Sequence, residues 1–78
     1  MERSLFAQRL KEAREERGYS QAVLGNMVGL SKAAVCQYEN GKHMPSIEHS
    51  RALAHTLGVS YNWLIGFSEY RYKIDMMF

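Results

Sequence analysis

An all-α fold of five short helices, followed by a tail of different character, is predicted by three observations on this 78-residue chain. Apolar residues recur at helical spacing over most of the length. Each such segment is opened by a serine or closed by a glycine. Only the stretch from Tyr70 to Phe78 switches to strict alternation of apolar and polar residues.

The first helix is expected from about Arg3 to Arg17, with Phe6, Leu10 and Ala13 on one face, Leu5 beside them and Gly18 as its stop. Its other faces carry charges of both signs, the pattern of a solvated surface. Ser20 is an N-cap for a second helix running to about Val28. Ser31 caps a third, from about Lys32 to Glu39, which Asn40-Gly41 closes. Lys42 to Pro45 reads as a loop, because Pro45 blocks helix before Ser46, the next N-cap. The fourth helix carries Ile47, Ser50, Leu53, Ala54 and Leu57 inward and stops at Gly58. Ser60 then caps a short fifth helix through Ile65, with Trp63 and Leu64 facing the core and Gly66 ending it. Residues 1–67 are therefore read as one helical domain and 68–78 as a C-terminal tail.

The bulk properties narrow the function classes. A chain of this length lies near the lower limit at which a core stands without staples. Its lone cysteine, Cys36, forms no internal disulfide, so packing must suffice and a reducing cytoplasm is the natural compartment. No apolar run approaches the roughly 18 residues of a membrane span, and no signal peptide opens the chain. It passes from Met1 straight into an amphipathic helix, which leads us to expect a complete cytoplasmic protein with no membrane partner. Net charge is +2, and up to Pro45 seven basic residues face five acidic ones. That excess is too small for gripping DNA by charge alone and favours a few placed contacts.

Within this frame, Gln21 to Asn40 carries the most information. Leu24, Val28, Leu30, Val35 and Tyr38 keep a helical period on either side of a break at Gly29, a residue that tolerates positive φ. Gly25, inside the first of these helices, costs about 1 kcal/mol relative to alanine and so requires a packing reason, such as close approach of a second backbone. Two short helices hinged at a glycine are the layout of a helix-turn-helix that reads duplex DNA.

The stretch SQAVLGNMVGLSKAAVCQYENGKHMPS, followed by LAHTLGVSYNWLIG, resembles the lambda-repressor-like, Cro/C1-type helix-turn-helix family. The resemblance spans about Phe6 to Gly66. It implies a five-helix bundle with helix three in the major groove, and function as a transcriptional regulator. It further implies that Gln21 bonds a phosphate and braces the start of helix three. Lys32, Ala33 and Gln37 face base edges, Asn40 and Lys42 meet the backbone, and Arg14 and Glu39 form an ion pair tying helix one to helix three. The chain departs from the family at Ala22 and Val23, where acidic residues are usual, and at Ala33 and Ala34, where polar base readers are common.

Elementary chemistry supports several of these roles independently. The first residues of a helix docked end-on in a major groove, here Ser31 to Ala34, reach base edges, while flanking polar groups meet phosphates. Lys32 can donate to guanine O6 or N7, Gln37 can take adenine bidentately, and Ala33 or Ala34 can pack on a thymine methyl. Other chemistries find no support. Cys36, His43, His49 and His55 fit no common zinc spacing, Cys36 has no paired base, and no catalytic set of carboxylates or nucleophile appears. No enzyme, cofactor, metal or small-molecule substrate is expected. A single-strand or RNA binder is disfavoured because the aromatics do not interleave with basic residues.

The tail completes the reading. Tyr70, Tyr72, Ile74, Met76 and Phe78 alternate with Arg71, Lys73 and Asp75, a period-two pattern that predicts a strand. A lone strand on a helical domain lacks a ladder partner, and the same segment of a second copy supplies one, giving a homodimer on a two-fold operator. A tail folded back over its own domain is the alternative. A protein-interaction module or antitoxin, whose tail docks on a partner protein, is the rival reading of function.

Overall fold

The computed structural model describes residues 3–72. Five helices follow in order: α1 (Arg3–Glu16), α2 (Gln21–Val28), α3 (Lys32–Glu39), α4 (Ile47–Leu57) and α5 (Tyr61–Leu64). Four of them begin in the same way. The hydroxyls of Ser20, Ser31, Ser46 and Ser60 accept from the amides of Val23, Ala34, His49 and Trp63, at 3.0, 3.0, 3.1 and 3.3 Å. Each such cap satisfies an amide that the helix leaves unpaired and contributes about 1 kcal/mol. Helices this short are marginal alone, so the caps and the shared core must hold them together.

Every helix contributes to that core. Phe6 and Leu10 from α1, Leu24 from α2, Val35 from α3, Leu53 from α4 and Leu64 from α5 are all inaccessible to solvent. Each is worth roughly 1.5–3 kcal/mol of apolar burial. Ser50 is equally buried, and its hydroxyl donates to the Ser46 carbonyl at 2.8 Å, so no polar group is left unsatisfied there. α2 and α3 pack on one another, with α1 against α3 and α5, and α4 against α2 and α5. The paired helices α2 and α3 thus rest on a platform of α1, α4 and α5.

The structure departs from the sequence reading at the element ends. α1 stops at Glu16, and Arg17 instead donates from Nε to the Leu57 carbonyl at the end of α4, 3.2 Å away. Ile47, expected inward, is 58% exposed. It is the first residue of α4, and side chains there lean past the helix end, beyond the core. α5 closes at Leu64, while Ile65 follows as its C-cap and is still buried. Among the described residues there is no strand, and Arg71 and Tyr72 form a bend. Ile74, Met76 and Phe78 lie outside the described residues. In the single chain Tyr70 and Tyr72 are exposed, and Arg71 between them turns onto the domain. Arg71 finds carboxylates on α1 and the Trp63 ring there.

Candidate nucleic-acid interface

The site is built from the turn outward. α2 ends at Gly29 in the left-handed region, φ 75° and ψ 28°, where its amide and that of Leu30 both return to the Gly25 carbonyl. Gly25 is buried, and a Cβ added to it would lie 2.6 Å from the Leu30 carbonyl oxygen. The close approach that this glycine permits is therefore made by the turn entering α3. One glycine bends the chain and the other lets it come near, so α3 leaves α2 at a fixed angle.

α3 buries one side and presents the other. Val35 is inaccessible and Tyr38 packs against the core, while Lys32, Ala33, Gln37, Asn40 and Lys42 are exposed and Ala34 is half-buried. At 100° per residue, Ala33, Gln37 and Asn40 fall within about 60° of one another, with Lys32 about a quarter-turn to one side. Ser31 spends its oxygen as the N-cap of α3, which leaves its hydroxyl hydrogen free to donate outward. The Asn40 amide donates to Cys36 Sγ at 3.6 Å. Beyond it, Gly41 takes φ 74° and the Lys42 amide closes onto the Gln37 carbonyl at 3.1 Å, which brings Lys42 back beside the helix end.

Behind this face lies a polar network that joins four parts of the chain. Arg14 of α1 donates from Nε to Glu39 Oε2 at 2.6 Å and from Nη2 to Oε1 at 3.0 Å, a bidentate pair. Its Nη1 donates to the Tyr19 carbonyl at 2.7 Å. The Glu39 side chain is only 3% exposed and that of Arg14 11%. The Glu39 hydrogen bond holds the Arg14 guanidinium above its ordinary pKa, against the opposing effect of burial. Gln21 completes the set, donating to Glu39 Oε1 at 3.1 Å. It therefore braces the end of α3, not the start, because Glu39 is the acceptor within its reach. One of its two amide hydrogens remains for another acceptor.

A pairing 25 residues apart, as between Arg14 and Glu39, has no local signature. The Gln21 amide as a further member of the network went unread in the sequence for the same reason, and the Tyr19 carbonyl because a backbone acceptor leaves no mark in residue type. So did the pair Arg9 and Arg71, whose guanidinium carbons lie 4.8 and 5.0 Å from the centroid of the Trp63 ring. Among the described residues no group of three His, Cys, Asp or Glu side chains is placed to hold a metal. Nor is any described helix long and apolar enough to cross a membrane.

The helix-turn-helix family model matches residues 10–64, which include α2, the Gly29 turn, α3 and the network behind them. The chain belongs to the lambda-repressor-like helix-turn-helix family. It is 31% identical over 71 residues to the SPbeta prophage-derived HTH-type transcriptional regulator YonR of Bacillus subtilis (strain 168). The aligned region takes in 91% of this chain and 66% of that protein. The P22 c2 repressor in complex with a synthetic operator superposes with a TM-score of 0.78 at 33% identity, covering 82% of this chain and 97% of that one. The whole repressor protein C2 of Salmonella phage P22 is longer, and this chain spans 30% of it. The hydroxypropylphosphonic acid epoxidase of S. wedmorenis also superposes, with a TM-score of 0.73 at 30% identity. There the match covers 80% of this helix-turn-helix chain but 33% of the enzyme.

Proposed function

We propose that this helix-turn-helix protein is a sequence-specific regulator that binds duplex DNA without catalysing a reaction, and that it acts as a repressor-like homodimer on a two-fold operator. The observation that carries this reading is the exposed row Lys32, Ala33, Gln37 and Asn40 on a helix whose angle is fixed by Gly25, Gly29 and the Arg14–Glu39 pair. A rigid, outward-facing helix of that length suits a major groove about 12 Å wide. Lys32 donates to guanine and Gln37 to adenine, while Ala33 and Ala34 meet thymine methyls. Ser31 and the spare hydrogen of Gln21 donate to phosphates at the front of α3, and Asn40 and Lys42 to phosphates at its end. Glu39 would repel phosphate if it were free, but its oxygens are occupied by Arg14 and Gln21. The likeness to a repressor in complex with an operator supports the same mode.

With so few base readers, one copy discriminates weakly, and two copies about 34 Å apart multiply that discrimination. Self-association belongs to the tail, whose Tyr70 and Tyr72 are 68% and 61% exposed. The same exposure, together with Phe67 at 77%, favours the second reading, in which the tail docks on a different protein. Selection of binding sites from random duplex DNA, followed by sedimentation of the protein alone and with the selected site, tests both. A palindromic site and two copies per duplex are expected. No enrichment at any salt up to physiological rejects DNA reading, and a monomer on a single half-site rejects the dimer.

A further inference from the structure

The residues after α5 do not trail away from the domain. Residues 66–72 return along α5 as a strap, and both parts of it are tied down. Arg9 of α1 donates to the carbonyls of Trp63 and Ser68, the latter at 3.0 Å. Three positions later in the strap, the Arg71 carbonyl accepts from the Ser60 amide at 2.6 Å. The Arg71 guanidinium bonds both oxygens of Glu16, at 2.9 and 2.6 Å, lies 3.6 Å from Glu12 Oε2 and stacks over the Trp63 ring. Its side chain is 22% exposed, and its Nε is fully buried without an acceptor. This arginine is inserted, whereas its neighbours Tyr70 and Tyr72 stand in solvent.

The anchors share one face of α1, since Arg9, Glu12 and Glu16 follow the i, i+3, i+7 pattern. Arg14, which holds α3 through Glu39, lies about 200° around the same helix from both Glu12 and Glu16. α1 is therefore a rigid spacer, with the reading helix fixed to one side and the strap to the other. A flexible linker at 66–72 would let two joined copies place their reading helices at many separations. A pinned strap lets them choose few.

We propose that Arg71 is a positioning residue: by pinning the strap to α1 and α5 it fixes the direction in which the self-association segment leaves the domain, and so sets the separation of half-sites that the dimer accepts. This rests on the dimeric DNA-binding reading above. It assigns spacing preference to a side chain that touches neither DNA nor the second copy.

The test uses the full chain and duplexes carrying two selected half-sites at stepped separations. Wild-type protein is expected to show one sharp optimum. Arg71→Ala, and independently Glu16→Gln, are expected to remain folded by circular dichroism, dimeric by sedimentation and faithful to the half-site sequence. In both, the optimum flattens and affinity at the best separation falls about tenfold, as part of the gain from joining two copies is lost. A wild-type optimum that survives either substitution overturns the role of Arg71 and leaves the dimer standing. A wild-type dimer indifferent to separation overturns this inference alone, whereas a wild-type protein that is monomeric on the duplex overturns the dimeric reading and this inference with it.

Discussion

Glu39 places a carboxylate at the end of α3, where in the proposed binding mode phosphate would repel it, and three side-chain hydrogen bonds from Arg14 and Gln21 absorb its charge. Removing one partner of a buried pair strands the other, which typically costs 3–5 kcal/mol. Glu39→Ala is therefore expected to lower stability by about 3 kcal/mol in urea denaturation, with the slope unchanged. A loss under about 1 kcal/mol would mean that the pair is screened by water. Lys32 stands in the opposite situation, exposed at the front of α3. Lys32→Ala should leave stability within about 0.5 kcal/mol of wild type, and relax base preference at one position of each half-site by roughly 1–3 kcal/mol. Uniform weakening on every sequence, with a shallower salt dependence, would assign Lys32 to a phosphate instead. Legibility at this scale follows the range of the interaction. Ser20, Ser31, Ser46 and Ser60 were readable because a cap acts on an amide three residues on. The partner of Arg71 was not, because only the completed bundle brings Glu16 to it from 55 residues away.

At the scale of elements, the two glycines of the turn separate bending from approach. Gly29 has φ 75° and open space where a Cβ would go, so Gly29→Ala incurs about 1–2 kcal/mol of left-handed strain but displaces nothing. Gly25 is helical, and alanine there gains about 1 kcal/mol of propensity, yet its Cβ would press on the Leu30 carbonyl and push α3 away. Gly25→Ala is thus expected to weaken operator binding far more than Gly29→Ala at similar thermal stability. Equal losses of binding would show that the α2–α3 angle is held by something other than this contact. Gly29 was readable from the break in helical period and Gly25 from its cost inside a helix, whereas Ile47 and Ile65 were misplaced because periodicity does not fix where a helix begins or ends. The strap offers a second element-level prediction. Glu16 is held below its ordinary pKa of 4.5, chiefly by the Arg71 hydrogen bond and against a smaller opposing effect of burial. A lowered folded-state value makes the strap's contribution complete above about pH 4.5 and lost as pH falls through the folded value. The charged and titratable groups facing this pair are Glu12, Arg9 and Tyr72. Trp63 is the chain's single tryptophan and reports the change directly. Its emission should titrate below pH 4.5 in wild type and lose that transition in Arg71→Ala. Identical titrations would disconnect Glu16 from the strap.

Across the whole molecule, the strap separates two consequences that a tail deletion would otherwise confound. A chain ending at Phe67 loses the segment proposed for pairing, but also Arg71 from the Trp63 ring, from Glu16 and from the Ser60 amide. Trp63 is 6% exposed in the intact chain, so uncovering it destabilises the core around α5 as well as any dimer. A chain ending at Tyr72 keeps every one of those contacts. If residues 73–78 supply the pairing between copies, this second truncation melts within a few degrees of the full chain, yet sediments as a monomer. Its affinity for a single half-site should be unchanged, because Lys32, Gln37 and Lys42 remain in place. Affinity for the two-fold site should fall by 10²–10⁴, the usual gain from joining two modules. A chain ending at Tyr72 that stays dimeric would move self-association onto the exposed Phe67, Tyr70 and Tyr72 of the strap. One that is monomeric but binds the two-fold site at full strength would show that the two copies cooperate through DNA and not through the tail.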